Sequence, residues 1–216
     1  MPEADDIIVV APHPDDESIG CGGLIALSSR RGSRITVLFV TDGEDLLIAD
    51  KPGSLAARRR AQGTAACEIL GATPQFLGLS DGDLHREVDA LAAALEHWIR
   101  ERHASLVVLP WFGDANSDHQ AVNVAFAKTG VDTPVWGYEV WSPLPANRVV
   151  DISEAVEDKR RAVAAHTADV FIDADALLGL NRYRAAVARL NGTHAEAFFE
   201  APASEYKQRT LDVSGS

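Results

Sequence analysis

Short apolar runs alternate with longer segments of helical character through residues 7–129 of the chain. The first run, Ile-Ile-Val-Val at 7–10, is rich in β-branched residues and is typical of a buried strand. Three further runs of this kind lie at 34–41, 74–79 and 106–109. The helical segments that follow the four runs are 18–31, 54–70, 89–102 and 119–129. Four strand–helix repeats predict an α/β fold, with a mostly parallel, Rossmann-like sheet and helices on both faces.

The pattern after residue 130 is less regular. Two further strands are predicted at 135–141 and 148–152. Ser153 is a favoured N-cap residue and predicts a helix that ends near His166. A last helix and a last short strand are predicted at 173–190 and 195–200. No linker-like stretch divides the chain, so we expect residues 1–206 to form one domain and 207–216 a frayed C-terminal tail.

Composition and charge narrow the class of protein. The chain has 216 residues, of which 46% are hydrophobic, enough for one domain with a sizeable core. Its net charge of −12 repels phosphate backbones, so nucleic acid is not an expected partner. The two cysteines, Cys21 and Cys67, fall in predicted helices and indicate no disulfide framework. With neither a secretory signal pattern nor an apolar run long enough to span a membrane, we expect a cytoplasmic protein. A homo-oligomer stays possible.

Polar residues follow each of the first four predicted strands. They are His13, Asp15 and Asp16 after the first strand, Asp42 after the second, Asp81 after the third, and Asp114, Asn116, Asp118 and His119 after the fourth. In open α/β sheets, ligands bind outside the carboxyl ends of the strands. These side chains are therefore expected to meet at one edge of the sheet.

Three of these residues have the chemistry of a metal site. A catalytic Zn²⁺ takes three His or carboxylate ligands and keeps one position for water. His13, Asp16 and His119 supply such a set, from two different loops. Adjacent residues of an extended loop point in opposite directions. Asp15 could therefore face a substrate and act as general base while Asp16 ligates. The alternative for an isolated His-Pro-Asp-Asp-Glu string is an ordinary turn capped by one of its acids.

The string His-Pro-Asp-Asp-Glu-Ser-Ile-Gly-Cys-Gly-Gly at 13–23 resembles the signature of the PIG-L/LmbE-like metal-dependent deacetylases. Weaker similarities to later motifs of that family occur at 77–82, 115–119, 138–141 and 195–198. The resemblance implies one Zn²⁺ per chain held by His13, Asp16 and His119, with Asp15 as base. Other divalent metals would tolerate the same ligands.

The resemblance also implies two substrate-binding residues. Arg59 stands where the family often has an arginine that contacts substrate, and Asp81 where it has an acid that binds sugar hydroxyls. Both residues have a simpler interpretation. Arg58–Arg60 could be a solvated helix face, and Asp81 could serve only to form the turn at 80–83.

One position departs from the family pattern. Asn116 stands where the family usually has a histidine that stabilises the oxyanion or protonates the leaving amine. Asparagine donates a hydrogen bond but cannot carry a proton. Three outcomes are open: Asp15 performs both proton transfers, the protein is a weak enzyme or a binder, or another histidine takes over, the candidates being His85, His166 and His194.

The sequence therefore predicts a metal-dependent hydrolase that removes an N-acyl group, most simply acetyl, from an amino sugar or small sugar conjugate. The alternative is a catalytically impaired metal- or sugar-binding protein on the same scaffold, for which Asn116 is the argument. A dinucleotide-binding protein is disfavoured because the glycines at 20–23 do not form G-x-G-x-x-G. Specificity is expected to reside in loops 45–53 and 136–147.

Overall fold

A single mixed sheet forms the centre of the computed structural model, which describes residues 1–43, 54–166 and 173–215. The seven strands have the order β3-β2-β1-β4-β5-β7-β6. They are β1 Asp6–Ala11, β2 Arg34–Thr41, β3 Thr73–Leu79, β4 Leu106–Pro110, β5 Val135–Tyr138, β6 Arg148–Asp151 and β7 Ala195–Ala201. Strands β1 to β5 are parallel, whereas β7 is antiparallel to both β5 and β6. The α/β class and the mostly parallel sheet are confirmed.

Helices connect the strands and cover both faces of the sheet. They are α1 Asp16–Arg30, α2 Ser54–Leu70, α3 Val88–Glu101, α4 Ser117–Lys128, α5 Val156–Ala165, α6 Ala174–Val187 and α7 Ala203–Ser214. Short 3-10 turns lie at Leu84–Arg86 and Ser153–Ala155. Across the described residues, no helix combines the length and apolar composition that crossing a bilayer requires.

Strand β1 lies in the middle of the sheet and contributes side chains to both core layers. Ile7 and Val9 join the cluster on the side of α1, α2 and α5, whereas Ile8 and Val10 join the cluster on the side of α3, α4 and α7. Both sets are essentially inaccessible to solvent. A strand that is buried on both faces has no room for polar alternation, which explains the continuous apolar run in the sequence.

The strand order places a switch point beside β1. From β1 the chain moves to β2 and β3 on one side, then crosses over to β4 and β5 on the other. The loops that follow β1 and β4 therefore leave the same edge of the sheet as neighbours. This is the crevice in which open α/β sheets bind ligands.

Several predicted boundaries are wrong. Helix α4 begins at Ser117 instead of His119, and β5 ends at Tyr138 instead of Trp141. Ser153 opens a 3-10 turn and does not cap α5, whose N-cap position is Ala155. The Ser153 hydroxyl instead donates to Asp151.

The prediction that residues 207–216 form a frayed tail is also wrong, because residues 203–214 form helix α7. Tyr206 and Thr210 are buried, and the Lys207 ammonium donates hydrogen bonds to the carbonyls of Thr129 and Val131. The segment looked like a tail because it carries few apolar residues, two of which, Leu211 and Val213, are exposed. The helix is attached to the rest of the domain by the buried Tyr206 and by hydrogen bonds to backbone carbonyls. The local sequence pattern does not reveal these contacts.

Candidate active site

The loop after β1 holds its residues in an unusual backbone conformation. Asp15 has a φ of 148°, which crowds the Cβ of an L-residue and costs on the order of 1–3 kcal/mol. Its carbonyl accepts hydrogen bonds from the amides of Ser18 (3.1 Å) and Ile19 (2.9 Å). Its own amide donates to Glu17 Oε2 at 3.0 Å. These bonds fix Asp15 at the start of α1. Backbone strain of this kind is typical of functional sites.

Three predicted ligands meet between the loops after β1 and β4. Asp16 Oδ2 lies 3.2 Å from His13 Nδ1 and 3.2 Å from His119 Nε2. The two imidazole centroids are 5.6 Å apart. Asp16 and His119 are inaccessible to solvent, and His13 is 9% exposed. The structure thus brings together residues that are more than 100 positions apart in the chain.

Each histidine has a carboxylate at its other ring nitrogen. His13 Nε2 lies 3.2 Å from Asp118 Oδ2 and 3.1 Å from Asp81 Oδ1. His119 Nδ1 lies 3.3 Å from Asp114 Oδ1, an ion-pair contact rather than an aligned hydrogen bond. Such carboxylates fix the ring orientation and tautomer of metal-ligating histidines. They leave His13 Nδ1 and His119 Nε2 facing Asp16.

Asp114 and Asp118, in the acid-rich stretch after β4, were expected at this edge of the sheet, but no role was predicted for either. Asp114 also accepts the backbone amides of Asn116 and Trp141, and Asp118 accepts the amide of Gly82 at 2.7 Å. These bonds tie three loops to the histidines. The signal in the sequence was that both acids share a loop with His119. What they contact, however, depends on the strand order.

The unsatisfied atoms of the cluster fit a cation. Asp16 Oδ1 and His119 Nε2 are buried and make no hydrogen bond with any described residue. A buried oxygen and a buried nitrogen that make no hydrogen bond, together with a third donor, His13 Nδ1, form the donor set of a divalent metal site. Asp81, Asp118 and His13 form a second group of three potential ligand atoms within 4.8 Å of one another. Because Asp118 is already engaged by Gly82, we favour the first group.

The charges of the cluster shift its pKa values. Burial would raise the pKa of Asp16, but the two histidines outweigh it and hold this pKa well below its usual range. Burial and, next to it, repulsion by Asp16 raise the pKa of Asp15 to about 7, although His13 and His166 oppose the shift. Burial disfavours the cationic form of His119, yet Asp16 and Asp114 raise its pKa to about 9. A divalent cation bound here would balance the negative charge of Asp16 in place of the protons on the two histidines.

Asn116 has a local structural role that the sequence did not reveal. It is the N-cap of α4, and its Oδ1 accepts from the amides of Asp118 (2.8 Å) and His119 (3.3 Å). Asparagine is among the best N-cap residues. Its Nδ2 group makes no hydrogen bond with the described residues, so the side chain combines a cap with an available donor.

The two predicted substrate-binding residues lie at the same edge of the sheet. Asp81 contacts His13, as described, and is partly exposed. The guanidinium of Arg59 packs against Gly43, the second residue after the carboxyl end of β2, so closely that a Cβ there would lie 2.2 Å from Nη1. The neighbouring Arg60 instead pairs with Asp42 and covers the ring of Phe76. The predicted specificity loop 45–53 lies outside the described residues.

None of the three alternative histidines contacts the candidate metal ligands directly. His85 is exposed and lines a separate cavity of about 410 Å³ beside α4 and α7. His194 contacts Thr193 near the start of β7. His166 is buried against Glu17 and Ser18. Replacement of the missing family histidine by one of these residues stays a prediction that the geometry does not favour.

Comparison with known proteins places this site in a family. The family described as PIG-L: GlcNAc-PI de-N-acetylase matches residues 8–129, a range that contains the three candidate ligands and Asp15. The chain belongs to this family.

Two relatives match most of the chain. The probable N-acetyl-alpha-D-glucosaminyl L-malate deacetylase 2 of Bacillus subtilis (strain 168) is 30% identical over 183 residues, which cover 74% of this chain and 81% of that protein. The diacetylchitobiose deacetylase of Thermococcus kodakarensis is 30% identical over 190 residues, covering 74% and 68%. A 1D-myo-inositol 2-acetamido-2-deoxy-alpha-D-glucopyranoside deacetylase of Acidothermus cellulolyticus is 38% identical over 82 residues, only 28% of its length. These relatives are named as deacetylases of N-acetylglucosamine-containing compounds.

Solved structures share the fold. The N,N'-diacetylchitobiose deacetylase of Pyrococcus horikoshii superposes with a TM-score of 0.79 at 21% identity, covering 94% of this chain and 86% of that chain. The 4-carboxy-2-hydroxymuconate hydratase of Pseudomonas putida KT2440 superposes with a TM-score of 0.73 at 21% identity, covering 91% and 96%. Because a hydratase and a deacetylase share this architecture, the fold alone does not define the reaction.

Proposed function

We propose that this protein is a zinc-dependent N-deacetylase that hydrolyses the acetamido group of an N-acetylglucosaminyl conjugate. The observation that carries the proposal is the buried His13–Asp16–His119 group, with its unsatisfied ligand atoms, next to Asp15, whose backbone is strained. Family membership and the names of the relatives support the deacetylase assignment. Zn²⁺ bound to the three side chains would polarise the acetyl carbonyl and lower the pKa of water.

The protein's own residues account for the proton transfers. Asp15 removes a proton from the attacking water as oxygen adds to the carbonyl carbon, which creates a tetrahedral intermediate. The C–N bond then breaks, and the departing nitrogen takes that proton from Asp15, releasing acetate and the free amino sugar. A pKa of Asp15 raised by burial suits a group that both accepts and returns a proton. A metal cation next to it would favour the charged, accepting form.

Neighbouring side chains orient the reactants. Asn116 Nδ2 donates to the developing oxyanion, in place of the histidine that the family pattern has at this position. Asp118 and Asp81 hold His13, and the partly exposed carboxylate of Asp81 also accepts from a sugar hydroxyl. Arg59 of α2, whose guanidinium lies against Gly43 just after β2, contacts the substrate conjugate. The proposed substrate is a small molecule, and the mechanism involves neither nucleic acid nor a membrane-spanning segment.

The alternative, a catalytically impaired metal- or sugar-binding protein, depends on Asn116 alone. In the structure this residue caps α4 and keeps an available donor, so its presence does not require that catalysis be lost. Asp15, which needs no partner histidine to shuttle one proton, is intact and buried. The geometry therefore supports an enzyme.

The test is acetate release from a panel of three substrates. These are N-acetylglucosaminyl malate, N-acetylglucosaminyl inositol and diacetylchitobiose. The Asp15→Asn variant is expected to lose about 10²–10⁴-fold in kcat, because it lacks the proton acceptor. Asp89→Asn, which changes an exposed carboxylate on α3, is the control and should match wild type. Full activity of Asp15→Asn, or no acetate from any substrate with metal present, would contradict the proposal.

A further inference from the structure

Glu17 is a fully buried carboxylate directly after the candidate ligand Asp16. Its Oε1 accepts from the hydroxyl of Ser18 at 2.6 Å and lies 2.9 Å from His166 Nε2. Its Oε2 accepts the backbone amide of Asp15 at 3.0 Å. Burying a carboxylate is costly unless it is paired and hydrogen-bonded. Among the described residues, His166 is the ionisable partner that Glu17 contacts.

His166 comes from a distant part of the chain. It follows the last residue of α5 and is 149 positions away from Glu17. Its side chain is 1% exposed, so it cannot meet a substrate directly. Burial disfavours its cationic form, but the Glu17 carboxylate outweighs burial and raises the pKa of His166. The contact of 2.9 Å with His166 and the hydrogen bond from the Ser18 hydroxyl together fix the Glu17 carboxylate in one orientation.

The contact of Glu17 with Asp15 has a specific consequence. The φ of 148° at Asp15 persists only if the hydrogen bonds made in this conformation outweigh its backbone strain. Its carbonyl is held by amides of α1, which any helix start would supply. Its amide is held by Glu17 alone among the described side chains. Release of that amide would let φ relax and would turn the Asp15 carboxylate away from its present direction.

We propose that Glu17 and His166 are positioning residues that hold Asp15 in the orientation required for proton transfer. This inference rests on the proposed function, because it gives the pair a role in the same site. The order of contacts runs from His166 to Glu17 and then to the Asp15 backbone. Neither residue touches the reacting atoms, so both act only through Asp15.

The kinetic test compares two substitutions of His166. His166→Leu removes the donor, and kcat is expected to fall about 10–100-fold, with KM changed less than twofold and one metal ion still bound. His166→Gln places an amide NH₂ near the position of Nε2 and should recover most of kcat. Equal loss in both variants, or loss of kcat only in step with loss of metal, would overturn the inference.

Lys159→Met is the matched control. Lys159 is a buried ion-pair residue within α5, and its ammonium donates to Glu196 at 2.7 Å and to the carbonyl of Ile19. Its replacement should lower Tm at least as much as His166→Leu does, but leave kcat per bound metal within about twofold of wild type. A parallel loss of kcat in Lys159→Met would mean that any damaged ion pair behind α1 has this effect, and would overturn the specific role of His166.

The second readout does not depend on activity. A crystal structure of metal-free His166→Leu should show Asp15 with a negative φ and a displaced carboxylate, whereas His166→Gln should keep φ near its wild-type value. An unchanged Asp15 in His166→Leu would refute the inference whatever the kinetics. If the wild-type protein released no acetate from any substrate, the proposed function would fail, but this structural comparison would still decide the role of the pair.

Discussion

At the residue scale, the site is defined by which atom of each side chain faces inward. His13 and His119 present different ring nitrogens to Asp16, and in each case a carboxylate occupies the opposite nitrogen. An imidazole whose N–H faces a carboxylate presents a lone pair at its other nitrogen, where it can bind a metal. The acids Asp114 and Asp118 therefore select the ligating atoms, although neither is expected to touch the metal.

This arrangement predicts the effect of removing the orienting charges. Asp118→Asn and Asp114→Asn should each weaken Zn²⁺ affinity about 10–100-fold, because the amide stabilises the required tautomer and basicity of the histidine less well. Competition with a chromogenic chelator measures the change. Asp212→Asn, at an exposed position of α7, is the control. Unchanged affinity in both site variants would show that the carboxylates do not tune the ligands.

Asn116 combines two functions that substitution can separate. Serine keeps the N-cap but lacks the Nδ2 donor, so Asn116→Ser should retain Tm and lose about 10²–10³-fold in kcat. Asn116→Ala should show the same loss of kcat and should also lower the free energy of unfolding by about 1 kcal/mol, because the cap is lost. Calorimetry and acetate release measure the two effects.

Asn116→His tests the alternative function. We expect no gain in kcat, since Asp15 returns the proton and histidine is a poorer cap. A gain of more than tenfold would mean that the wild-type protein is impaired by its asparagine.

At the element scale, helix α1 carries the metal loop and is set against its surroundings by close contacts. The helix is kinked at Cys21, whose φ is −143°, and the Glu196 carboxylate accepts the amides of Gly23 and Leu24 beside the kink. The ring of Tyr138 packs directly on Gly20, and its hydroxyl donates to the carbonyl of Val10. Strands β1, β5 and β7 thereby fix the start of α1.

The contact at Gly20 makes a prediction. A Cβ at this position would lie 2.1 Å from Tyr138 Cδ2, so Gly20→Ala must displace the ring or the helix start. We expect a loss of about 1–3 kcal/mol in unfolding free energy, together with a fall in kcat, because the same helix carries Asp16. Denaturant unfolding and acetate release measure both.

Gly179→Ala is the matched control for this substitution. Gly179 lies on an exposed position of α6, and a Cβ added there would have no described atom within 4 Å, so alanine should stabilise by up to about 1 kcal/mol. A Gly20→Ala variant as stable and as active as Gly179→Ala would show that α1 does not need this close approach.

At the scale of the whole molecule, the sequence predicted best those features of the site that follow directly from the apolar pattern and from a parallel sheet. The apolar runs at 7–10 and 106–109 predicted two strands of a mostly parallel sheet, and parallel strands bring their following loops to one edge. The structure adds that these two strands are neighbours. For this reason His13 and His119 could be expected to meet although they are far apart in the chain.

The parts that sequence reasoning missed depend on contacts without a local signature. Helix α7 is held by Tyr206 and by backbone carbonyls, and the pairing of His166 with Glu17 joins α5 to α1. The family pattern presents Asn116 as the loss of a catalytic group, whereas its position one residue before α4 indicates a cap. An N-cap is a local feature, and correct placement of the helix start would have revealed it.

The central claim is that one divalent ion, held by His13, Asp16 and His119, is required for hydrolysis of an N-acetyl group. Its most direct test is a titration of metal-free protein with Zn²⁺ while acetate release from the most reactive substrate of the panel is followed. We predict no release without metal and a rise that saturates at one equivalent. Equal release by the metal-free protein, or no activation at one equivalent, would contradict the claim.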